Sequence, residues 1–160
     1  MKATPVEIEK YLRLLEETPR SIADLTAGSD DRALEFKPAE RSWSVRDVLA
    51  HLRSCADLWS FSIYAMLAED EPVLPDIDER KWTKAAGYGD VPFRESFQIF
   101  TLERKDLLRV LRALPFEAWE KPAMIFERKH TVFTQVRRMA KHEEEHCEQI
   151  ERLLRDVLRR

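Results

Sequence analysis

The chain has 160 residues, the usual size of one domain and enough to bury a core. Its 44% hydrophobic and 36% charged content describes a soluble, strongly helical chain and excludes a disordered one. A formal net charge of −3 leaves no electrostatic footprint for nucleic acid, and three glycines leave little material for phosphate-cradling loops, of which no Gly-x-Gly-x-x-Gly or Walker pattern is present.

Thr4-Pro5-Val6-Glu7 predicts a capping box with proline at the first helical position. The helix that follows carries Ile8, Leu12, Leu15, Ile22 and Leu25. Pro19 is expected to kink it or to restart it with Thr18 as a new cap. Residues 27–31 end it, and a loop through Phe36, Lys37 and Pro38 leads to Ser44, which opens a second helix with Asp47 as capping partner. Trp43 is placed to staple onto Val48 or nearby. The apolar stripe of this helix runs from Val45 through Val48, Leu52, Cys55 and Trp59 to Met66, and His51 faces its edge.

Residues 69–90 form the longest irregular stretch, and stretches of this kind in compact domains are often lids or binding loops. Trp82, inside it, is the expected pocket wall. Asp90 is expected to cap a third helix with the stripe Phe93, Phe97, Phe100, Leu107, Leu111 and Leu114, interrupted by Arg104 and stopped by Pro115. A connection with a short possible strand, Ala123-Met124-Ile125-Phe126, leads to a fourth helix that begins near Thr131 and runs to the C-terminus. The basic end, residues 155–160, suits a helix C-terminus. Four long amphipathic segments argue an all-α four-helix bundle, an architecture that builds metal sites in its core from facing helices.

The fourth helix holds the chemistry. Its stripe is Val132, Val136, Met139, His142/Glu143, His146, Ile150, Leu153 and Val157, so histidines stand where apolar residues are expected. Residues four apart share a helix face, so His142 and His146 can grip one ion. A side chain from another helix must complete the site. His51 is the best candidate, because the chain has four histidines and His130 reads as a cap or surface residue before the fourth helix. Three imidazoles with open positions describe a catalytic site rather than a closed structural one.

His142-Glu143-Glu144-Glu145-His146 also matches the zinc-peptidase pattern His-Glu-x-x-His, with Glu143 as general base. No histidine follows His146 to complete that pattern, and glutamates fill positions that a buried peptidase helix gives to apolar residues. A metallopeptidase is therefore a minor alternative. Glu143 stands as a base, as a partner to a ligand, or as a solvated side chain; Glu144 and Glu145 are expected to be exposed. Arg104 is set either to contact an anionic substrate group or to pair with an internal carboxylate. Cys55 and Cys147 make no disulfide framework and are read as small packing residues, with Cys55, one turn after His51, weighed as a fourth ligand.

Lys37-Pro38 and the run Arg41-Ser42-Trp43-Ser44-Val45-Arg46-Asp47-Val48-Leu49-Ala50-His51-Leu52 resemble the second-helix signature of the DinB-like superfamily. Met139-Ala140-Lys141-His142 through His146, Gln149 and Ile150 is similar to that family's His-x-x-x-His-x-x-Gln-Ile helix. The resemblance implies an up-down-down-up four-helix bundle with a long crossover, often as a homodimer. It implies a divalent metal, commonly zinc or nickel, on His51, His142 and His146. Relatives of the bacillithiol and mycothiol transferase kind activate a low-molecular-weight thiol at such a site.

The expectation is one cytoplasmic DinB-like domain over residues 1–160, with reduced thiols and neither nucleic-acid nor membrane partners. Its leading function is metal-dependent activation of a thiol or water against a small electrophile, as an S-transferase or hydrolase. Two alternatives stand beside it: a non-catalytic metal- or ligand-binding stress-related bundle, and a helical dimer whose histidines bind nothing.

Overall fold

In a computed structural model, which describes residues 2–158, the elements follow in the order α1 (Pro5–Thr26), α2 (Asp31–Glu35), α3 (Val45–Ala68), β1 (Val73–Leu74), α4 (Glu79–Ala85), α5 (Phe93–Arg112), β2 (Pro122–Ile125), β3 (Arg128–Thr131) and α6 (Val132–Leu158). Residues 159 and 160 of the basic end lie outside the described residues. α1 packs against α6 and α5, and α3 packs against the same two helices, in a closed ring α1–α6–α3–α5. Side-chain contacts give the directions. Arg53 of α3 reaches Ser96 of α5, while Tyr64 lies with Asp106, so those helices are parallel. His51 meets His146 and Trp59 meets His142, so α3 and α6 are antiparallel. Arg94, at the start of α5, donates to the Thr26 carbonyl at the end of α1. The bundle is up-down-down-up, and its two parallel middle helices require a long crossover.

The helix starts follow the local chemistry. Thr4 Oγ1 accepts the Glu7 amide at 3.2 Å with proline in the first turn. Ser44 and Asp47 form a complete capping box, at 3.1 and 2.9 Å. Three expectations are corrected. Pro19 does not restart α1, and Thr18 is not a cap; Thr18 is buried and donates to the Leu14 carbonyl inside a continuous helix. Residues 31–35 are not loop but α2, capped by Asp30, which accepts the Ala33 amide at 2.8 Å and lets Leu34 enter the core. Asp90 does not cap α5; it closes a 3-10 turn over Tyr88–Asp90, and Pro92 occupies the cap position with no side-chain bond.

The stretch from 69 to 90 is more ordered than its composition suggests. β1 pairs parallel to β2, which pairs antiparallel to β3, with Val73 opposite Met124 and Ala123 opposite His130. The expected strand is thus present as β2, and His130 belongs to β3 rather than to a helix cap. Four polar contacts fasten the crossover to α3. Asp57 accepts from Trp82 Nε1 at 3.1 Å and from the Tyr88 hydroxyl at 2.5 Å. The Ser54 and Thr83 hydroxyls share a 2.6 Å bond, and the buried Arg53 guanidinium lies 4.0 Å from the Tyr88 ring centroid. Gly87, at φ +66°, supplies the left-handed turn between α4 and this clamp. No helix among the described residues is long and apolar enough to cross a membrane.

The core divides into two apolar clusters. Leu15, Trp59, Ile63, Met66, Leu107, Phe133 and Met139 belong to one, and Ile22, Val48, Leu49, Leu52, Phe100 and Ile150 to the other. Arg104 lies between Phe100 and Leu107 along α5, and Glu143 between Ala140 and Ile150 along α6. The two are almost fully buried and form an ion pair with each other. Arg104 also points a second nitrogen at the Met139 sulfur, 3.0 Å away.

Removing one partner of a buried pair leaves the other charge uncompensated, whereas replacing both with apolar groups of similar volume is often neutral. Glu143→Leu alone should therefore cost about 3–5 kcal/mol of unfolding free energy. The double change Arg104→Met/Glu143→Leu should restore most of it. Urea denaturation of the three proteins checks this, with recovery in the double variant as the deciding value.

Candidate metal centre

His51 projects from α3, and His142 and His146 project one turn apart from α6. The antiparallel crossing brings the three rings together. His142 Nε2 stands 3.1 Å from His51 Nε2 and 3.1 Å from His146 Nε2. One ligating nitrogen from each ring lies within 4.8 Å of the others, and among the described residues no other group of three or more His, Cys, Asp or Glu side chains is gathered this way. Metal–nitrogen bonds of about 2.0–2.1 Å at tetrahedral or octahedral angles separate neighbouring ligand atoms by about 2.9–3.4 Å. The two 3.1 Å separations from His142 fall in that range, and the 4.8 Å bound keeps the third nitrogen beside the same point.

Hydrogen bonding and packing set the ring orientations. His146 Nδ1 donates to Gln149 Oε1 at 2.7 Å, which assigns the proton to that nitrogen and leaves Nε2 with its lone pair toward the cluster. Trp43, in the turn before α3, lies 5.0 Å from His51 between ring centroids, and 6.2 Å from His146 with planes only 16° apart. Trp59 meets His142 edge-on at 4.9 Å. His142 has no hydrogen bond at its buried Nδ1, so packing alone orients that ring.

Burial is the main cause of low basicity at all three imidazoles. It holds His51 down at about 4 and His142 down at about 3, with neighbouring imidazoles adding to the effect, and it lowers His146 as well. All three are neutral at pH 7 and offer lone pairs without prior loss of a proton, the state a metal requires.

The other singled-out residues separate from this cluster. Glu143, one position along from His142, is turned into the core toward Arg104 and is 1% exposed. Burial raises its carboxyl above the ordinary carboxylate range, with the Arg104 charge and hydrogen bond opposing. Arg104 thus takes the second of its two expected roles, the internal ion pair, whereas Glu143 is neither solvated nor turned toward the histidines as a base or ligand partner, because its side chain is buried against Arg104. Glu144 and Glu145 are exposed. Cys55 is buried with Sγ 3.6 Å from His51 Nε2, and burial pushes its thiol up to about 12, as it does for Cys147, which packs beside the second core cluster.

A cleft of about 250 Å³ opens beside His51, walled by Trp43, Asp47 and Ala50 from the α3 side and by Arg80 and Thr83 from α4. The expected wall, Trp82, does not line it; its indole is bonded to Asp57 on the far side of α4, and Trp43 takes the place. Gln149, Arg80 and Thr83 are the side chains that sequence reasoning left without a role. Gln149 was visible as the residue one turn beyond His146. For α4, the signal was Asp78 followed by good helix formers, and Asp78 indeed caps it by accepting the Arg80 and Lys81 amides at 2.9 and 3.0 Å.

Comparison with known proteins agrees with this centre. A protein of Halalkalibacterium halodurans named as a putative metal-dependent hydrolase is 27% identical over 93 residues, covering 58% of this chain and 54% of its own length. One of Oceanobacillus iheyensis with the same description is 22% identical over 111 residues, covering 69% of this chain and 64% of its own. The chain thus spans about half to two thirds of the length of these curated relatives. The solved structure of YfiT from Bacillus subtilis is described as a probable metal-dependent hydrolase with an unusual four-helix bundle topology. It matches 98% of this chain and 90% of its own with a TM-score of 0.87 at 18% identity, which shows the shared fold. The family model of the DinB superfamily matches residues 14–150, and the chain belongs to that superfamily.

Proposed function

We propose that this protein is a metal-dependent hydrolase of small molecules, with His51, His142 and His146 as the ligands of one zinc or nickel ion. The observation that carries the reading is the convergence of three neutral imidazoles, with His142 Nε2 3.1 Å from the Nε2 atoms of both His51 and His146, beside an open cleft that His51 lines. Such an ion supplies Lewis-acid activation of water, or of a thiol, near neutral pH. The chain's own residues do the rest. Gln149 holds the His146 proton at Nδ1, and the two tryptophans keep the rings aligned and shield the ligand nitrogens from bulk water. With three protein ligands, positions remain for water and substrate, as a catalytic site needs. The relatives named as hydrolases support water as the nucleophile. A low-molecular-weight thiol would use the same open positions, so the substrate panel includes thiol acceptors.

Elemental mass spectrometry of protein purified without a histidine tag should find about one divalent ion per chain, and none in His142→Ala/His146→Ala. Absence of metal after incubation with zinc and nickel would overturn the reading. Metal bound without turnover of any ester, amide or thiol-acceptor substrate would favour a non-catalytic bundle.

Gln149→Leu should keep the fold but weaken metal affinity by about 10–100-fold, the usual effect of removing a partner that orients a ligating histidine. Competition against a chromogenic chelator measures it.

The depressed imidazoles also give a pH dependence. Between their ordinary value of 6.5 and their folded values, about 4 for His51 and about 3 for His142, the unfolded chain binds more protons than the folded one. Metal-free protein should therefore lose stability as pH falls below 6.5, with the loss complete only below the folded values. Thermal melts between pH 7.5 and 4 check this. Replacing His51 and His142 by Gln should flatten that part of the profile.

A further inference from the structure

The crossover brings to the cleft beside His51 one cation that, among the described residues, has no ion pair within bonding distance. Arg80, on α4, lines the cleft together with His51, Trp43 and Thr83. Its guanidinium carbon lies 5.8 Å from the Trp43 ring centroid, and among the described residues it forms no ion pair and no side-chain hydrogen bond. Lys37, the other cation of the cleft, is bonded to Asp47 at 2.7 Å. Arg104 is sealed in the core against Glu143. Arg80 is thus the guanidinium free to meet a ligand beside His51.

Its position is built rather than incidental. Asp78 caps the first turn of α4, and Thr83 bonds to Ser54 of α3 and to the Glu79 carbonyl. Trp82 and Tyr88 both bond to Asp57. These contacts hold the backbone that carries Arg80 against the wall of the site. Trp43 offers a flat apolar surface between Arg80 and the histidines: its ring touches His51 and His146 and lies under the guanidinium.

Resting on the proposed hydrolase reading, the geometry points to a substrate class. The cleft takes a small molecule with a carboxylate at one end and a flat or apolar body. Arg80 binds the carboxylate, Trp43 packs against the body, and the reacting group lies beside His51, the histidine that lines the cleft. A guanidinium recognises a carboxylate through paired, charge-assisted hydrogen bonds. Solvent screens this exposed contact, and Glu79 on the same helix opposes it, so it is worth about a tenfold preference over a neutral analogue. The cleft volume of about 250 Å³ limits the ligand to a small metabolite rather than a peptide or a polymer.

The test is equilibrium binding of 4-phenylbutyrate and its primary amide, followed by calorimetry and tryptophan fluorescence. It is run on metal-free full-length protein, where a carboxylate has no ion to bind. The expected result is about tenfold tighter binding of the carboxylate, reduced to near parity in Arg80→Gln and retained in Arg138→Gln. Arg138 is the control because it stacks on Trp59 at 4.5 Å and faces a different crevice. Equal binding of acid and amide by the wild type, or an unchanged ratio in Arg80→Gln, overturns the proposal. Hydrolysis by the metal-loaded protein of 4-nitrophenyl butyrate and mono-4-nitrophenyl glutarate is measured separately. Failure there, with the binding preference intact, sinks the hydrolase reading and leaves the carboxylate site standing.

Discussion

The structure depends on a polar layer laid across the middle of an apolar bundle. Three imidazoles and a buried arginine–glutamate pair interrupt the stripes of α3, α5 and α6 between two hydrophobic clusters. Burying such groups is unfavourable unless each finds a partner. The bundle meets that demand in two ways. Arg104 and Glu143 neutralise each other. The imidazoles give up their protons instead, because burial drives them to the neutral form, and lie against tryptophan rings. Glu143 and His142 are adjacent in sequence and about a hundred degrees apart around the helix, so α6 serves both halves of the layer.

The layer also fixes the register of the bundle. A shift of α6 by one turn along α3 would leave His51 against at most one of His142 and His146, and would part Glu143 from Arg104. Apolar contacts alone tolerate such slips better, since leucine against leucine has no directional requirement. The polar layer therefore constrains the same helices that carry the ligands. Three unsatisfied atoms within it, Arg104 Nε, Glu143 Oε2 and His142 Nδ1, show that the pairing is not complete. Their cost is consistent with a layer kept for geometry more than for stability.

Much of this was legible in the chain. The 3.6-residue stripes located the four long helices, and the Ser44–Asp47 box located the start of α3 to the residue. The histidine cluster was readable because histidines at i and i+4 stand on an otherwise apolar stripe, with His51 on a facing helix. What escaped notice had physical reasons. α2 and α4 are too short for periodicity to register, and only their aspartate caps announce them. Pro19 is tolerated within α1 by its tertiary surroundings, which overrode the local breaker signal. The partnership of Arg104 with Glu143 spans two helices far apart in sequence, and no local rule connects them. The choice of Trp43 over Trp82 as pocket wall depended on which face of α4 met α3. That was decided by Asp57, a residue with nothing unusual about it in sequence.

The crossover links the bundle to its chemistry. Parallel α3 and α5 cannot be joined by a short turn, so a long connection is a geometric necessity of this topology. It must cross the end or the flank of the bundle, and here it crosses the flank on which His51 opens. A segment required by topology thus becomes one wall of the site, while the histidines stay on rigid helices. The two parts answer to different constraints. Ligand positions are tied to core packing and cannot change without cost to the bundle. Arg80 on α4 faces the cleft, is exposed and carries no core load, so it can be exchanged freely, whereas Thr83 beside it is half-buried and holds α4 to Ser54. Under the proposed function, a fold arranged in this way can keep the histidine site and vary its ligand through the crossover. Specificity within such a site is therefore to be sought on α4 and in the turn before α3, rather than among the ligands.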